Sequence, residues 1–364
     1  MSPVTPVNAV NVLGGGAFGC GTDDLTDLRG LVNEIGARSF AARIGYRALP
    51  DPLDSPAWGH LEEAGLTRLD STAESGGGPA EVAVTLRALA RYAVTVPVAE
   101  TDLLAGWLAA AAGLEVPDTG PMTVATGRAH RSGRRLTAHL RDVPYAADAV
   151  AVVLALQEDD RLLVAVRPPA GLSIVRGRNA GGEPRDGFCL AERDDGFVAV
   201  DLKDELVRRG AWARCTQIIG ALDAAVEFSV AHTREREQFG RPLSAFQSVQ
   251  HTLATMAGEV ERARAAANLA VSAAADFGFA DPRTDFAVTV AKVTLGQVVP
   301  EVVTAAHQVH GAIGVTFEHR LWLATMRARS WIAEFGDTAH YARRLGRLAL
   351  SGIDPWDVLI GSVR

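Results

Sequence analysis

The sequence predicts a mainly α-helical protein that carries a small β domain in its middle. Helical periodicity dominates up to about residue 115, short apolar segments with turn signals follow over 116–202, and long alanine-rich helices return from 203. A chain of 364 residues is long enough for two or three structural units. We therefore predict an N-terminal helical domain over 22–115, a middle β domain over 116–202 and a C-terminal helical bundle over 203–364.

A glycine-rich stretch, "NAVNVLGGGAFG", precedes the first predicted helix. Gly14, Gly16 and Gly19 match the glycine spacing of dinucleotide-binding turns. Such a turn requires a helix to open at once within a βαβ unit, whereas here the next helix starts near Thr22 and no second strand follows. The sequence therefore predicts a flexible leader over residues 1–21.

The N-terminal domain is predicted from apolar spacing. Leu25, Leu28, Val32 and Ile35 recur at intervals of three and four, as one face of a helix requires. The segments "SPAWGHLEEAGL", "ESGGGPAEVAVTLRALARYA" and "VPVAETDLLAGWLAAAAG" each contain a further helix.

The middle domain is predicted from short strand-like segments: "RRLTAHLRDV", "AVAVVLALQ", "RLLVAVRP" and "FVAVDL". Turn signals separate them at Ser132-Gly133, at 158–160 and at Asp195-Gly196. This pattern predicts a small antiparallel barrel or sandwich.

The C-terminal domain shows two apolar helix faces that can bury against each other in a four-helix bundle. One face comprises Ile219, Leu222, Val226 and Val230; the other comprises Leu253, Met256, Val260, Ala263 and Ala267.

Composition narrows the function classes. The net charge of −7 and the pI of about 5.7 argue against nucleic acid as a partner, because phosphate binding needs a basic surface. Cys20, Cys189 and Cys215 lie far apart, which predicts neither disulfides nor a metal site. Neither a signal-peptide pattern nor an apolar run of membrane-spanning length is evident, so we expect a cytoplasmic protein without a membrane partner.

The segment "TREREQFGRPLSAFQ", residues 233–247, reads first as local structure. Gly240 and Pro242 are typical of a helix stop, and Ser244 with Gln247 fits a capping box for the next helix. Local structure leaves Arg236, Gln238 and Phe239 unexplained.

Two later segments also combine a helix break with polar residues. Gly311 and Gly314 follow an apolar helix in "AAHQVHGAIGVTFEH", where a C-cap or a close backbone approach to a ligand would both suit glycine. In "RSWIAEFGDTAHYARRL", Glu334 and Asp337 flank a predicted break at Gly336, and Asp337 could simply cap the helix that follows.

Together these segments resemble the acyl-CoA dehydrogenase family. "REREQFGRPLSAFQSVQH" is similar to the family's R-x-Q-F-G-x-P-x-x-x-F-Q signature, and "QVHGAIGVTFEHRLWLATMR" is similar to its Q-x-x-G-G-x-G-x-T-x-E-H-x-L segment. The order of a helical, a β and a second helical domain also matches. The resemblance covers most of the chain and implies that fold.

The resemblance implies FAD as a cofactor. Arg236 takes the position that reaches the FAD pyrophosphate, usually that of the neighbouring subunit, and a guanidinium suits a phosphate. Gln238 and Phe239 occupy positions that also contact the cofactor, and Phe246 and Gln247 match the adenine-side pair. The segment that packs against the adenosine end is matched by Gln308, Val309, His310, Gly311 and Ala312, with Ala312 in place of a second glycine.

The implied reaction is α,β-dehydrogenation of an acyl-CoA thioester, in which a carboxylate removes the α proton and an electron-transfer flavoprotein or similar acceptor takes up the electrons. The two family positions for that carboxylate fall on Phe335 and Gly210, which carry none. Glu334 and Asp337 are the nearest candidates beside the first position. The family's T-E-P-x-x-G-S-D and W-I-T-N stretches are also missing from the middle domain.

The pattern resembles an actinobacterial branch of the family whose unlike subunits form α2β2 assemblies on CoA esters of sterol side chains or other bulky acids. Three alternatives stay open at this point: a subunit whose partner supplies the base, a homo-oligomer with a displaced carboxylate, and a non-catalytic partner that binds acyl-CoA or FAD. An altered flavoenzyme chemistry on the same fold is a fourth. The sequence leaves the acyl chain undetermined.

Overall fold

A computed structural model describes residues 23–43, 51–71, 76–316 and 319–351. The predicted leader and its glycine pattern lie outside these residues. The predicted class is confirmed, because long helices precede and follow a small β region along the chain. The helices are α1 (Asp23–Arg43), α2 (Ser55–Glu63), α3 (Pro79–Arg91), α4 (Trp107–Ala111), α5 (Lys203–Glu235), α6 (Gln247–Phe277), α7 (Pro282–His310), α8 (Arg320–Trp331) and α9 (Thr338–Ser351). The strands are β1 (Met122–Arg128), β2 (His130–Ser132), β3 (Arg135–Pro144), β4 (Ala151–Glu158), β5 (Arg161–Arg167), β6 (Arg185–Arg193), β7 (Val198–Val200), β8 (Glu237–Gln238) and β9 (Arg241–Pro242).

The β region is an open two-sheet sandwich. One sheet has the order β1-β4-β5-β7 and the other the order β2-β3-β6, and neither closes into a barrel among the described strands. Leu140, Leu154 and Phe188 belong to the buried apolar cluster between the sheets.

The prediction of a purely antiparallel domain is wrong at one pair. Strands β1 and β4 run parallel, in register from Met122↔Ala151 to Arg128↔Gln157. Parallel neighbours need a long crossover connection, and here the β2–β3 hairpin of the opposite sheet provides it. The alternation of apolar and polar residues within one strand does not reveal whether its neighbour runs parallel or antiparallel to it.

A β-bulge interrupts β3 near its end. Leu140 pairs with Phe188 and Val143 with Asp186, so β3 carries one extra residue between the two pairs. Asp142 adopts a positive φ of 55° there. Bulges bend a strand and redirect its side chains, often beside functional sites.

The C-terminal helices pack around α5 and α7, whose buried faces form much of the main core. By length and composition, the stretch Pro282–Val315 could cross a bilayer, although 56% of its most apolar window is buried within the molecule. Helix α7 is therefore a core helix of the bundle, and its apolar character serves packing against α5, α6 and α9.

The N-terminal helices dock closely on the bundle. At Gly220 in α5, an added Cβ would lie 2.0 Å from the carbonyl oxygen of Arg87 in α3, so only glycine permits this approach. A buried π-helical stretch, Glu100–Gly106, then leads towards the β domain. Such stretches are rare and often mark functional sites.

Candidate functional site

The two motif segments meet at one pocket of about 860 Å³, which we call the hairpin pocket. Arg236 and Gln238 contribute from the first segment, and the run 308–312 contributes from the second. Residues about 70 positions apart in the sequence thus line one cavity. No local sequence pattern predicts that the two segments meet.

A short hairpin presents Arg236. Helix α5 ends at Glu235, and Arg236 turns to an extended conformation with φ −80° and ψ 120°. Strands β8 and β9 follow, joined by Phe239 and Gly240, both at positive φ. The predicted helix stop at Gly240 therefore needs correction: this glycine closes a two-residue hairpin turn, a type that requires positive φ at both central residues.

The predicted capping box is also wrong. Helix α6 begins at Gln247 without a side-chain cap, and Ser244 lies in the preceding 3₁₀ turn. The carbonyl of Ser244 accepts a hydrogen bond from Gln250 Nε2 at 2.9 Å instead. Phe246 occupies the N-cap position of α6, two residues after Ser244.

Three predicted contact residues lie outside the lining of the hairpin pocket. Phe239 is 91% exposed at the hairpin tip. Its ring meets that of Phe246 edge to face, with the two ring centres 6.2 Å apart. The guanidinium of Arg241 lies 4.1 Å from the centre of the Phe246 ring. Gln247 is exposed at the start of α6. Their cofactor contacts stay predictions.

Arg236 is available to an anionic ligand. Its guanidinium is exposed, and no described residue forms an ion pair or side-chain hydrogen bond with it. Gln238 and Gln308 offer exposed amides in the same lining. This arrangement can donate charge-assisted hydrogen bonds to a phosphate.

His310 forms the buried wall of the hairpin pocket. It is 5% exposed, its ring stacks on that of His232 at 4.5 Å, and its Nδ1 donates to the carbonyl of Ala306 at 2.7 Å. Its Nε2 finds no partner within the described part of the chain. Burial, chiefly, and the neighbouring histidines lower the pKa of His310 to about 4, although the hydrogen bond to Ala306 acts in the opposite direction. The ring is therefore neutral at pH 7.

Gly311 ends α7, which confirms the predicted C-cap. Its φ of 65° is a conformation that side chains disfavour, and an added Cβ would meet nothing within 4 Å. The exposed backbone at Gly311 and Ala312 is thus open to close approach from the pocket side.

A second pocket, the interdomain pocket, has a volume of about 910 Å³ and lies where the π-helical stretch, the β sandwich and the bundle meet. Its lining includes Glu100, Pro144, Arg185, Glu334 and Phe335. It holds the first position at which the family resemblance expects the base.

The two expected base positions contact each other. A Cβ on Gly210 would lie 2.4 Å from two ring carbons of Phe335, so the phenyl ring fills the space beside the helix. Phe335 adopts a positive φ of 54° and Gly336 one of 102°. An apolar ring therefore occupies the volume that a carboxylate would need.

Two side chains anchor the turn that carries Phe335. Lys292 Nζ donates to the carbonyl oxygens of Ile332 at 2.7 Å and Glu334 at 2.8 Å, and the hydroxyl of Tyr341 donates to that of Phe335 at 2.9 Å. Burial lowers the pKa of Lys292 to about 8. Lys292 was not among the residues predicted from the sequence to be functional, although a cation on the buried apolar face of α7 indicates a specific role.

Glu334 is held by two arginines. Its carboxylate accepts from Arg185 Nη2 at 2.8 Å and from Arg214 Nε at 2.6 Å, and Arg214 also donates to Glu100 at 2.6 Å. Burial alone would raise the pKa of Glu334, but the two guanidinium groups outweigh it and lower the pKa to about 2. A carboxylate so strongly held as an anion is a weak proton acceptor.

Asp337 has a structural contact instead. It is exposed, and its Oδ1 accepts a hydrogen bond from the backbone amide of His340 at 2.7 Å, which caps α9. Asp337 does not line the interdomain pocket.

The C-terminal part of the chain is similar in sequence to known proteins. Residues 204–346 match the family model "Acyl-CoA dehydrogenase, C-terminal domain". The chain is 31% identical over 127 residues to the acyl-CoA dehydrogenase IpdE2 of Mycolicibacterium smegmatis, an alignment that covers 35% of this chain and 38% of the relative. The chain thus spans well under half the length of this curated relative.

Solved structures cover nearly the whole chain. A chain of the ChsE4-ChsE5 complex from Mycobacterium tuberculosis superposes with a TM-score of 0.78 at 23% identity, covering 92% of this chain and 99% of that one. A chain of the Tcur3481-Tcur3483 steroid ACAD gives 0.75 at 24% identity, covering 90% and 98%. At such identities, the superpositions establish the fold.

Proposed function

We propose that this chain, which belongs to the acyl-CoA dehydrogenase family, is an FAD-binding subunit of a heteromeric acyl-CoA dehydrogenase whose partner supplies the catalytic base. One contrast carries the proposal. The hairpin pocket keeps the guanidinium of Arg236, which pairs with no described residue, whereas Phe335 fills the expected place of the base.

The residues of the hairpin pocket fit the adenine-dinucleotide end of FAD. Arg236 offers a charge and planar donors to the pyrophosphate. Gln238 and Gln308 offer amides, and the backbone at Gly311 leaves room for the adenosine side. The flavin, when bound, supplies the hydride acceptor for oxidation of an acyl-CoA thioester.

This chain's own residues position the cofactor and do not remove the proton. General-base catalysis needs a carboxylate within hydrogen-bonding reach of the substrate and with a pKa near the working pH. Glu334 meets neither condition well, because Arg185 and Arg214 hold it and keep its pKa at about 2. Asp337 caps a helix outside the pocket. A self-sufficient enzyme is therefore the weaker alternative.

Two observations support a second, unlike subunit. Phe239 exposes 91% of its surface beside the hairpin pocket, and Ile313 in the pocket lining is 50% exposed. Exposed apolar residues around a binding site are typical of a protein interface. The two solved structures of similar fold, ChsE4-ChsE5 and Tcur3481-Tcur3483, are each named as a pair of proteins. Sterol-type substrates, an electron-transfer flavoprotein acceptor and a cytoplasmic location stay predictions.

The test is Arg236→Ala, produced together with candidate partner subunits of the same family. Loss of a charge-assisted phosphate contact worth about 1.5–3 kcal/mol should weaken FAD affinity roughly 10- to 150-fold. Flavin content and the FAD dissociation constant measure it. Arg234→Ala is the matched control. Arg234 is exposed in the last turn of α5, two residues before Arg236, and does not line the pocket. Equal FAD affinity in the Arg236→Ala and Arg234→Ala variants would show that Arg236 does not bind the cofactor.

A second measurement separates the alternatives. The chain without a partner should not bleach flavin absorbance when acyl-CoA is added, even with excess FAD. Addition of the base-supplying subunit should restore bleaching. Bleaching by this chain alone would refute the assignment of the base to a partner.

A further inference from the structure

Three histidine rings cluster at the hairpin pocket. His232 lies in the last turn of α5 and lines the pocket, and its ring stacks on that of His310, with the two ring centres 4.5 Å apart. The ring of His319, the N-cap residue of α8, meets both of them edge to face, at ring-centre distances of 5.0 Å from His310 and 6.5 Å from His232. The ends of two helices and the start of a third thus bring the imidazoles together.

The three rings differ in their freedom to take up a proton. His310 is buried and commits its Nδ1 proton to the carbonyl of Ala306. The Nδ1 of His319 accepts a hydrogen bond from the backbone amide of Leu321 at 3.2 Å. His232 is half-buried, and within the described ranges its ring nitrogens form no hydrogen bond. His232 is therefore the ring best placed to exchange a proton with solvent.

Arg236 follows His232 after one turn of the chain. Its backbone amide donates to the carbonyl of His232 at 2.9 Å, and both side chains line the pocket. Burial, chiefly, and the charge of Arg236 lower the pKa of His232 below its ordinary value of 6.5, while Glu235 acts in the opposite direction. Without an anion at Arg236, His232 is therefore mostly neutral at pH 7.

Few other charges surround His232. Arg236 and Glu235 are the charged side chains of the pocket lining, beside the two imidazoles of His232 and His310. The charged residues of the adjoining hairpin and of the start of α8 lie outside that lining: Glu237, Arg241 and Arg320. Helix α6 contributes only uncharged residues to it, namely Ser248, Val249 and Thr252. An anion held by Arg236 would therefore change the field at His232 strongly.

We propose that the cofactor grip of the hairpin pocket is proton-linked: His232 takes up a proton when the pyrophosphate of FAD binds to Arg236, and its imidazolium adds a second positive charge to the site. This inference rests on the proposed function, because it takes FAD as the ligand. A nearby anion favours the charged form of an imidazole, and a histidine can change its charge near neutral pH.

The stack limits the uptake to one proton. Charging both rings would set two like charges face to face, at ring centres 4.5 Å apart. The pKa of His310 is about 4, so its ring stays neutral and leaves the charge to His232. Because the complex then binds more protons than the free chain, the affinity for FAD must rise as the pH falls.

The experiment titrates the full chain with FAD by isothermal calorimetry at about pH 8, 7 and 6. The affinity should rise about three- to tenfold from pH 8 to pH 6, since uptake of one proton sets a ceiling of about tenfold per pH unit. The pyrophosphate of FAD stays fully ionised over this range, so the slope belongs to the protein. Buffers of different ionisation enthalpy should reveal the proton uptake directly as a difference in observed heat.

Two variants remove the proposed proton. His232→Phe keeps an aromatic ring that can stack on His310 but cannot be protonated, and His232→Gln removes the ring. In both, the affinity for FAD should no longer rise towards pH 6. The matched control is His251→Gln, since His251 is exposed early in α6 and does not line the pocket. This control should keep the pH dependence of the parent.

The outcomes separate this inference from the cofactor proposal. An affinity for FAD that is independent of pH in the parent, or a rise towards pH 6 that persists in both His232 variants, would overturn the proton linkage and leave the cofactor proposal standing. Absence of FAD binding at every pH, also in the presence of the partner subunit, would overturn both.

Discussion

Arg236 in the hairpin pocket and the buried arginine cluster at the wall of the interdomain pocket have opposite surroundings. In the hairpin pocket, Arg236 has no partner among the described residues and is open to a ligand. At the wall of the interdomain pocket, Arg185 is nearly fully buried and is neutralised by Glu183 and Glu334, and Arg214, equally buried, pairs with Glu334 and Glu100. The difference is that the fold itself neutralises Arg185 and Arg214, whereas the charge of Arg236 is left available among the described residues.

Removal of Arg214 should produce the largest effect on stability. Arg214→Ala leaves Glu100 and Glu334 without their shared guanidinium in a buried setting, which typically costs about 3–5 kcal/mol. Chemical denaturation measures the change in unfolding free energy. The control is Arg38→Ala, which breaks an exposed pair with Glu34 and should cost about 0.3–0.5 kcal/mol. Similar losses in both variants would contradict the structural role of the buried cluster.

Acid should unfold the protein through the same cluster. The pKa of Glu334 is lowered to about 2 in the folded chain, below its ordinary value of 4.5, so its ionised form stabilises the fold. This contribution, about 3 kcal/mol, is fully present above pH 4.5 and is lost as the pH falls from there towards 2.

The matched measurement compares the parent with Glu334→Gln by denaturation at several pH values. The parent should be the more stable at pH 7, and the gap between the two should narrow as the pH falls through 4.5 towards 2. A gap that stays constant over this window would show that the carboxylate is not stabilised as an anion.

The contact between the two expected base positions can be tested by a double-mutant cycle. Gly210→Ala improves helix propensity but drives a methyl group into the Phe335 ring, and overpacking of this kind costs about 1–3 kcal/mol. We expect a net destabilisation of about 1–2 kcal/mol, which Phe335→Ala in the same chain should largely relieve. Gly258→Ala is the control, since its Cβ would meet nothing within 4 Å and should stabilise α6 by up to about 1 kcal/mol. A stabilising Gly210→Ala would show that the ring lies elsewhere.

The smallest effect is expected at the hairpin tip. Phe239 adopts φ 53°, a conformation that asparagine tolerates better than phenylalanine. Phe239→Asn should therefore leave the stability of the isolated chain unchanged or raise it by up to about 1 kcal/mol, while weakening assembly with the partner subunit. Thermal unfolding and analytical ultracentrifugation measure the two quantities. Unimpaired assembly would exclude Phe239 from the interface.

Most of the fold follows from local pattern, with informative exceptions. The apolar periodicity of Ile219, Leu222 and Val226 predicted a buried helix face, and all three are buried. The parallel pairing of β1 with β4 was missed because pairing direction depends on where the intervening hairpin packs. The hairpin at Gly240 was read as a helix stop because both features use a glycine at positive φ.

By itself, the sequence determined the mainly helical class, the order of the domains and the two segments that meet in the hairpin pocket. It did so because periodicity, turn residues and motif spacing are local properties. Only the tertiary structure decided which charged groups are free. Arg214 and Glu100 lie 114 residues apart and pair at 2.6 Å, and Gly210 of α5 meets Phe335 of the turn between α8 and α9. Arg236, by contrast, has no described partner. Whether a charged side chain is paired depends on which groups the fold places beside it, and these groups are seldom near it in the sequence.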